Sequence, residues 1–183
     1  MDFNYNPLCA TVGQHDRTGT MWTFKEFILK KASTWDLCEE FITEFKSFKG
    51  DICVYGDATG RRRDTRSRTS DYLIIRQKLN QAFPGRVKFK IPKSNPPIRD
   101  RLNSVNALLK NANGDVNYLI HPDCRKSIVD FETVETPSET MPFQIDKRDA
   151  AGNPKTHLTD SIGYFITKEH PVLKPTYSSL SGG

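Results

Sequence analysis

"DICVYGD", residues Asp51 to Asp57, is a short and almost continuously apolar run that ends in glycine and aspartate. Runs of this kind are typical of strands in the buried centre of a sheet. An aspartate that follows such a strand lies where α/β folds place their ligands. Aspartate and glycine are also common in turns whatever the function. Asp57 by itself therefore leaves both a ligand position and a simple turn open.

The segments before this strand predict a hairpin and then a helix. The apolar runs over 8–14 and 21–29 are rich in strand-forming residues, and the polar stretch between them contains a glycine, which indicates a β-hairpin. Ser33 or Thr34 then begins a helix, and Asp36 in its first turn favours the positive end of the helix dipole.

The segments after this strand alternate between helix and strand patterns. We predict a helix over 70–83 capped by Ser70 or Thr69, an edge strand over 86–91, a helix that Asn95 caps and Gly114 closes, a second hairpin around Pro122 and Asp123, and a last helix from His157 to about Lys168. The region 141–154 is predicted to be a loop. The whole order is that of an α/β fold with a mixed sheet covered on both faces.

Length, charge and cysteine content are consistent with more than one class of protein. The chain has 183 residues, a formal net charge of +5 and a pI of about 9.0, which fits one domain with either a polyanionic partner or an ordinary basic surface. Its four cysteines form no CxxC pair, so reduced thiols in a cytoplasmic setting are the default. No apolar run approaches the roughly 20 residues of a membrane span.

A strongly basic loop follows Asp57. Five guanidinium groups close together repel one another, so we expect an anion nearby, and arginine forks suit phosphate oxygens. A solvated basic face is the simpler alternative. The arginines of the loop are Arg61, Arg62, Arg63, Arg66 and Arg68. The residues that could extend the same patch are Lys88, Lys90, Lys93, Arg99 and Arg101.

The last predicted helix, "HLTDSIGYF", places His157, Asp160 and Tyr164 on one face, since positions three and four apart are neighbours. Gly163 costs about 1 kcal/mol relative to alanine in a helix, so we expect it to allow close packing on a sheet. For an isolated helix, the simpler interpretation is that His157 lies at the surface and Asp160 stabilises the helix dipole. No GxxxxGK[ST], GxSxG or cysteine–histidine signature is present, which argues against a phosphate-binding ATPase loop and against covalent catalysis.

Several stretches occur together in an order that resembles the nuclease domain of the large terminase subunit of tailed bacteriophages, from Asp2 to about Pro171. The resemblance implies an RNase H-like α/β fold with a central mixed β-sheet and helices on both faces. It also implies a metal-dependent endonuclease that cuts concatemeric viral DNA during genome packaging. The stretches are "MDFNYNP", "VYGDATG", "TSDYLIIRQKL", "NPPIRDRLNSVNALLKN" and "HLTDSIGYFI".

The resemblance assigns site residues by position. Asp2 matches the first-strand aspartate, Asp57 the aspartate after the central strand, and Asp160 the aspartate of the last helix. Converging carboxylates repel unless cations lie between them, and Mg²⁺ or Mn²⁺ suits oxygen ligands. Two ions about 4 Å apart can activate a water and stabilise the leaving 3′ oxygen. We expect Asp2 and Asp160 to hold one ion and Asp57 to bridge both. His157 would ligate a metal or orient the water, or else be a helix-start residue bonded to the backbone.

Domain organisation and partners follow from the same resemblance. We expect a nuclease domain over 1–174, a flexible tail over 175–183, and no ATPase domain in this chain. Because only Met1 precedes Asp2, either the family's first strand is missing or the chain is a fragment of a longer protein. The implied partners are double-stranded DNA, the ATPase domain of the full-length chain, the small terminase subunit and the portal, in the host cytoplasm and without a membrane. Two alternatives stay open: a non-catalytic DNA-binding module, and an RNase H-like nuclease acting on Holliday junctions or RNA–DNA hybrids.

Overall fold

The structure is a computed structural model that describes residues 1, 3, 6–61, 69–134 and 156–171. The strands of the described part are β1 (Leu8–His15), β2 (Met21–Leu29), β3 (Ile52–Val54), β4 (Val87–Phe89) and β5 (Tyr118–Ile120). The α-helices of the same part are α1 (Thr34–Phe45), α2 (Asp71–Ala82), α3 (Ile98–Leu109), α4 (Arg125–Thr133) and α5 (His157–Glu169), and a short 3-10 helix spans Ala58–Arg61.

The predicted first hairpin is confirmed. β1 and β2 pair antiparallel, and the turn between them is held by Asp16, whose Oδ1 accepts hydrogen bonds from the backbone N–H groups of Thr18 (2.8 Å) and Thr20 (3.0 Å). Gly19 has a φ of +94°, a conformation that other residues rarely adopt. Local polar chemistry therefore sets this connection, as the sequence indicates.

Helices cover both faces of the hairpin. Phe27 of β2 packs with α1, whereas Met21 of the same strand packs with Ile162 of α5. Residues that are an even number of positions apart in a regular strand point to one face. Here the register shifts between Val12 and Gly13. Met21 and Phe27 therefore contact different helices although they are an even number of positions apart.

The second sheet contains β3 and β4, which pair in parallel. Its apolar side packs on α1 and α2 through Ile52, Val54, Ile75 and Phe83. Phe83 and Ile75 are almost completely buried, so this cluster anchors the strand that leads to Asp57. The predicted strand near residues 86–91 is confirmed as β4.

A slot of about 450 Å³ lies between residues 11–15 of β1 and residues 51–55, which contain β3. In the described ranges, β1 pairs with β2 alone and β3 with β4 alone. Met1 lies at the end of the slot: its amino group donates to the Tyr55 carbonyl (3.1 Å), and its carbonyl accepts from Asp57 N–H (3.4 Å). This is the hydrogen-bond pattern of a parallel ladder. Met1, the residue before Asp2, is therefore fixed beside the backbone of Asp57.

The predicted second hairpin is wrong. β5 exists and pairs in parallel with β2, but the stretch "CRKSIVDFE" forms the helix α4 instead of a strand. A short apolar pattern fits either a strand or a helix. Here Glu26, a residue far away in the sequence, favours the helix. The Glu26 carboxylate of β2 accepts from the backbone N–H groups of Lys126 (3.0 Å) and Ser127 (2.8 Å), which satisfies the first turn of a helix.

The expectations for the loop 141–154 and the tail 175–183 lie outside the described residues. Among the helices that the structure describes, none is long and apolar enough to cross a membrane.

Candidate active site

Asp57 lies just beyond β3, and both of its carboxylate oxygens are held. Oδ1 accepts from Thr59 N–H (2.6 Å) and from the Asn95 side-chain amide (2.8 Å). Oδ2 accepts from the Tyr164 hydroxyl (3.3 Å). Burial by itself would raise the pKa of the Asp57 carboxyl, but these hydrogen bonds outweigh it and hold the pKa below its ordinary value. Asp57 is thus an ionised and fixed carboxylate.

Asn95 was predicted to cap a helix, and that prediction is wrong. α3 begins at Ile98 with Pro97 at the capping position, and Asn95 reaches across to the loop after β3. Its amide group donates to Asp57, and its Oδ1 accepts from Ala58 N–H at 2.8 Å. Asn95 therefore fastens the Asp57 loop, a role that its local sequence does not reveal.

Asp160 lies in the first turn of α5 and is only 7% exposed. Arg101 of α3, itself 6% exposed, donates from Nη2 to Asp160 Oδ1 at 2.7 Å. The Arg101 guanidinium also lies 4.9 Å from the centre of the Tyr164 ring. Tyr164 therefore contacts the partner of Asp160 with its ring and contacts Asp57 with its hydroxyl. Tyr164 thus links the surroundings of Asp57 and Asp160 through Arg101.

Two sequence-based expectations change at this point. Arg101 was expected to extend a surface basic patch, but it is buried and paired. Gly163 was expected to pack against a sheet, but it faces Arg101: a Cβ at Gly163 would lie 2.8 Å from Cγ and Cδ of that arginine. The missing side chain of Gly163 therefore gives the arginine its route to Asp160.

His157 is the first residue of α5 and is half-buried. Burial raises the pKa of the neighbouring Asp130 carboxyl of α4, and the charges of Lys126 and His157 act in the opposite direction. The backbone amide of Leu158 also acts to lower the pKa of Asp130. The start of α5, with His157, therefore lies near the Asp130 carboxylate of α4.

The predicted DNA-binding residues in the described ranges all have partners within the chain. Arg61 donates to the Ile91 carbonyl (2.7 Å). Lys88 pairs with Asp51, and Lys90 donates to Glu169 (2.7 Å). Arg62, Arg63, Arg66 and Arg68 lie outside the described residues, as does Asp2.

The donor chemistry of the site fits a hard divalent cation. Asp57 and Asp160 offer carboxylate oxygens, the ligands that Mg²⁺ and Mn²⁺ prefer. Within the ranges that the structure describes, no three side chains of His, Cys, Asp or Glu gather as a complete metal site. The described side chains therefore do not form a complete metal site by themselves.

The mixed α/β fold that the resemblance in sequence predicts is confirmed, because the chain shares its fold with a solved nuclease domain. The chain is similar to the nuclease domain of the large terminase (g2p) of bacteriophage SPP1, a crystal structure with bound Mn. The TM-score is 0.50 and the identity 15%, over 92% of this chain and 82% of that one. No family model and no curated protein matches the chain.

Proposed function

We propose that this protein is a metal-dependent endonuclease that cuts DNA, acting on concatemeric viral DNA during genome packaging. One observation carries the proposal: Tyr164 donates to Asp57, and its ring lies against Arg101, the ion-pair partner of Asp160, in a fold shared with a terminase nuclease domain. The crystal structure of that domain contains Mn, which supports a divalent cation as the cofactor here.

Asp2, Asp57 and Asp160 are the proposed metal ligands. Together they would bind two ions of Mg²⁺ or Mn²⁺. The residues on either side of Asp2 support its inclusion. Met1 bonds to the backbone of Asp57, and Phe3 packs edge-on against Tyr72, with ring centres 5.0 Å apart. Tyr72 in turn donates to the Asp57 carbonyl at 2.7 Å. Both neighbours of Asp2 are therefore fixed beside the Asp57 loop.

The residues of the chain have distinct tasks in this proposal. Thr59, Asn95 and Tyr164 keep Asp57 ionised and fixed in position, and Arg101 holds Asp160 through an ion pair. The bound ions would supply an activated water and stabilise the leaving oxygen of the phosphodiester. His157, one helical turn before Asp160, is proposed to orient the water or to ligate a metal.

The DNA contacts are proposed for the arginine loop and the strand β4. Lys88 pairs with Asp51 at the protein surface, and exposed ion pairs contribute little to stability, so a phosphate can replace that partner. Arg61 and Lys90 would exchange their bonds to the Ile91 carbonyl and to Glu169 for phosphate contacts. With Arg62, Arg63, Arg66 and Arg68, these residues form the proposed DNA-binding set. Residues 1–174 would be the nuclease domain and 175–183 its tail. The ATPase domain of a full-length chain, the small terminase subunit and the portal are the proposed partners, in the host cytoplasm.

Cleavage of supercoiled plasmid tests this function. We expect cutting with Mn²⁺ or Mg²⁺, none with chelator, and a loss of about a hundredfold or more in Asp57→Asn and Asp160→Asn. Asp115→Asn is the matched control, because Asp115 is an aspartate held by an asparagine in another loop. Undiminished cleavage by Asp57→Asn and Asp160→Asn, with full loss only in chelator, would place the metal elsewhere.

A non-catalytic DNA-binding module is the second candidate. It is favoured by the Arg101–Asp160 pair, which already neutralises one of the two described carboxylates. That function requires salt-dependent DNA binding that Mn²⁺ leaves unchanged and that Arg61→Ala together with Arg62→Ala and Arg63→Ala weakens. Metal-dependent cleavage by the wild type contradicts it.

A further inference from the structure

The Arg101–Asp160 contact is a buried ion pair between two helices. Arg101 lies in the first turn of α3 and Asp160 in the first turn of α5, and neither side chain is more than 10% exposed. A buried carboxylate must be paired or fully hydrogen-bonded, because water does not solvate it. Arg101 supplies this partner at 2.7 Å.

The surroundings of Arg101 are built for this one conformation. Gly163 leaves room for its aliphatic part, since a Cβ there would lie 2.8 Å from Cγ and Cδ. The guanidinium rests 4.9 Å from the centre of the Tyr164 ring, an arrangement that stabilises a cation. Gly163 and Tyr164 of α5 therefore fix the positive charge of Arg101 beside Asp160.

We propose that Arg101 is a built-in counter-ion for Asp160 and competes with a divalent cation for this carboxylate. The inference rests on the proposed metal-dependent function, in which Asp160 is a ligand. A cation that binds Asp160 must share the carboxylate with Arg101 or break its bond to Oδ1, and in either case the guanidinium repels it. Arg101 thus keeps α3 and α5 joined without metal and sets a threshold for metal binding. It is a positioning residue, because it acts through Asp160.

Calorimetric titration with Mn²⁺ tests the competition. Arg101→Met keeps an unbranched side chain of similar reach and removes the charge. We expect it to bind Mn²⁺ on the order of tenfold more tightly than the wild type, because a like charge beside the ion is gone. Arg101→Lys keeps the charge and should stay near the wild type. A general loss of packing would instead weaken binding in both variants.

Thermal unfolding gives a second readout. In chelator, Arg101→Met should unfold at a lower temperature than the wild type, because the Asp160 carboxylate is left buried without its counter-ion. Mn²⁺ should raise the unfolding temperature of Arg101→Met by more than that of the wild type. Arg86→Met is the matched control: it also removes an arginine, one that donates to the Phe48 carbonyl, and its response to Mn²⁺ should equal that of the wild type.

Gly163→Ala keeps the test decisive if Arg101→Met fails to fold. The added Cβ displaces the Arg101 side chain without removing any charge, and alanine favours the helix. It should also bind Mn²⁺ more tightly than the wild type.

The outcomes separate this inference from the proposed function. If the wild type binds Mn²⁺ and neither Arg101→Met nor Gly163→Ala binds it more tightly, the counter-ion role is wrong and the metal site stands. If only the variants bind Mn²⁺, Arg101 blocks the site fully, which supports the counter-ion role. If no protein binds Mn²⁺, both the inference and the proposed function fail.

Discussion

The hydroxyl of Tyr164 donates a hydrogen bond of 3.3 Å to Oδ2 of Asp57. Tyr164 lies on α5 one turn after Asp160, so a single helix carries one carboxylate and holds the other. Residues four apart lie on the same helix face, and a rotation of α5 would therefore move both contacts together. The position of α5 on β1, where Thr11 and Ser161 share a 3.0 Å hydrogen bond, sets the geometry of the whole site.

Tyr164→Phe should separate the hydroxyl contact from the packing of the ring. We expect a loss of about 1 kcal/mol in the free energy of unfolding and a drop of about tenfold in metal-dependent cleavage, because Asp57 loses a donor. Tyr118→Phe is the matched control, since its buried hydroxyl bonds to Thr23 at 2.7 Å outside the site. It should lose similar stability and keep full cleavage. Equal cleavage by the two variants would contradict a role for the Tyr164 hydroxyl.

Asn95→Ala should loosen the loop that carries Asp57. Asn95 bonds to Asp57 and to Ala58 N–H, and its loss should reduce cleavage by about tenfold or more. Asn111 has the same pattern elsewhere: its amide donates to Asp115 (2.9 Å) and its Oδ1 accepts from Asp115 N–H (2.9 Å). Asn111→Ala should therefore affect stability measured by urea unfolding but not cleavage. A similar loss of activity in both variants would show a general effect on folding.

Much of the fold could be predicted from the sequence because it depends on local chemistry. The capping box at the start of α1 is complete, with Ser33 and Asp36 each bonded to the other's backbone N–H. The run from Asp51 to Asp57 does contain a short apolar strand, and its aspartate does lie beside a site. In each case the signal lies within a few residues of the feature that it predicts.

The features that could not be predicted depend on residues far apart in the chain. The register shift between Val12 and Gly13 turns the ends of β2 toward different helices. A glycine within a strand can mark such a shift, but it does not show which helices the two ends contact. Arginine is usually a surface residue, but Arg101 is buried, because Gly163 leaves space for its side chain and Asp160 pairs with its charge. Sequence spacing shows which residues share a helix face, but it does not show which other helix meets that face.

Glu169 predicts a pH dependence of stability. Burial by itself would raise the pKa of its carboxyl, but the Lys90 ammonium and the Tyr55 hydroxyl hold it below the ordinary 4.5. Because the folded state lowers this pKa, the contribution of Glu169 is complete above about pH 4.5 and is lost as the pH falls through the lower, folded value.

Glu169→Gln should show this dependence directly. At pH 7 we expect it to lower the free energy of unfolding by about 1 to 2 kcal/mol, since a charged acceptor is lost. Urea unfolding should show this deficit shrinking below pH 4.5, where the wild type loses the same charge. Glu44→Gln is the control, because its pair with Lys25 (3.1 Å) is exposed and should matter little. A deficit that is constant with pH would contradict the role of the Glu169 charge.

Glu26→Ala should reveal why α4 is a helix. The Glu26 carboxylate accepts from the first-turn amides of Lys126 and Ser127, so its removal leaves two donors unsatisfied and should cost about 1 to 2 kcal/mol. Hydrogen exchange should quicken in α4, and also at Leu158, whose backbone amide lies near the Asp130 carboxylate of α4. Glu44→Ala, a change at an exposed pair, should leave both regions protected. Because Leu158 follows His157, faster exchange there would show that a glutamate on β2 fixes the start of the helix that carries the candidate site. Exchange that quickens in β2 alone would contradict this link.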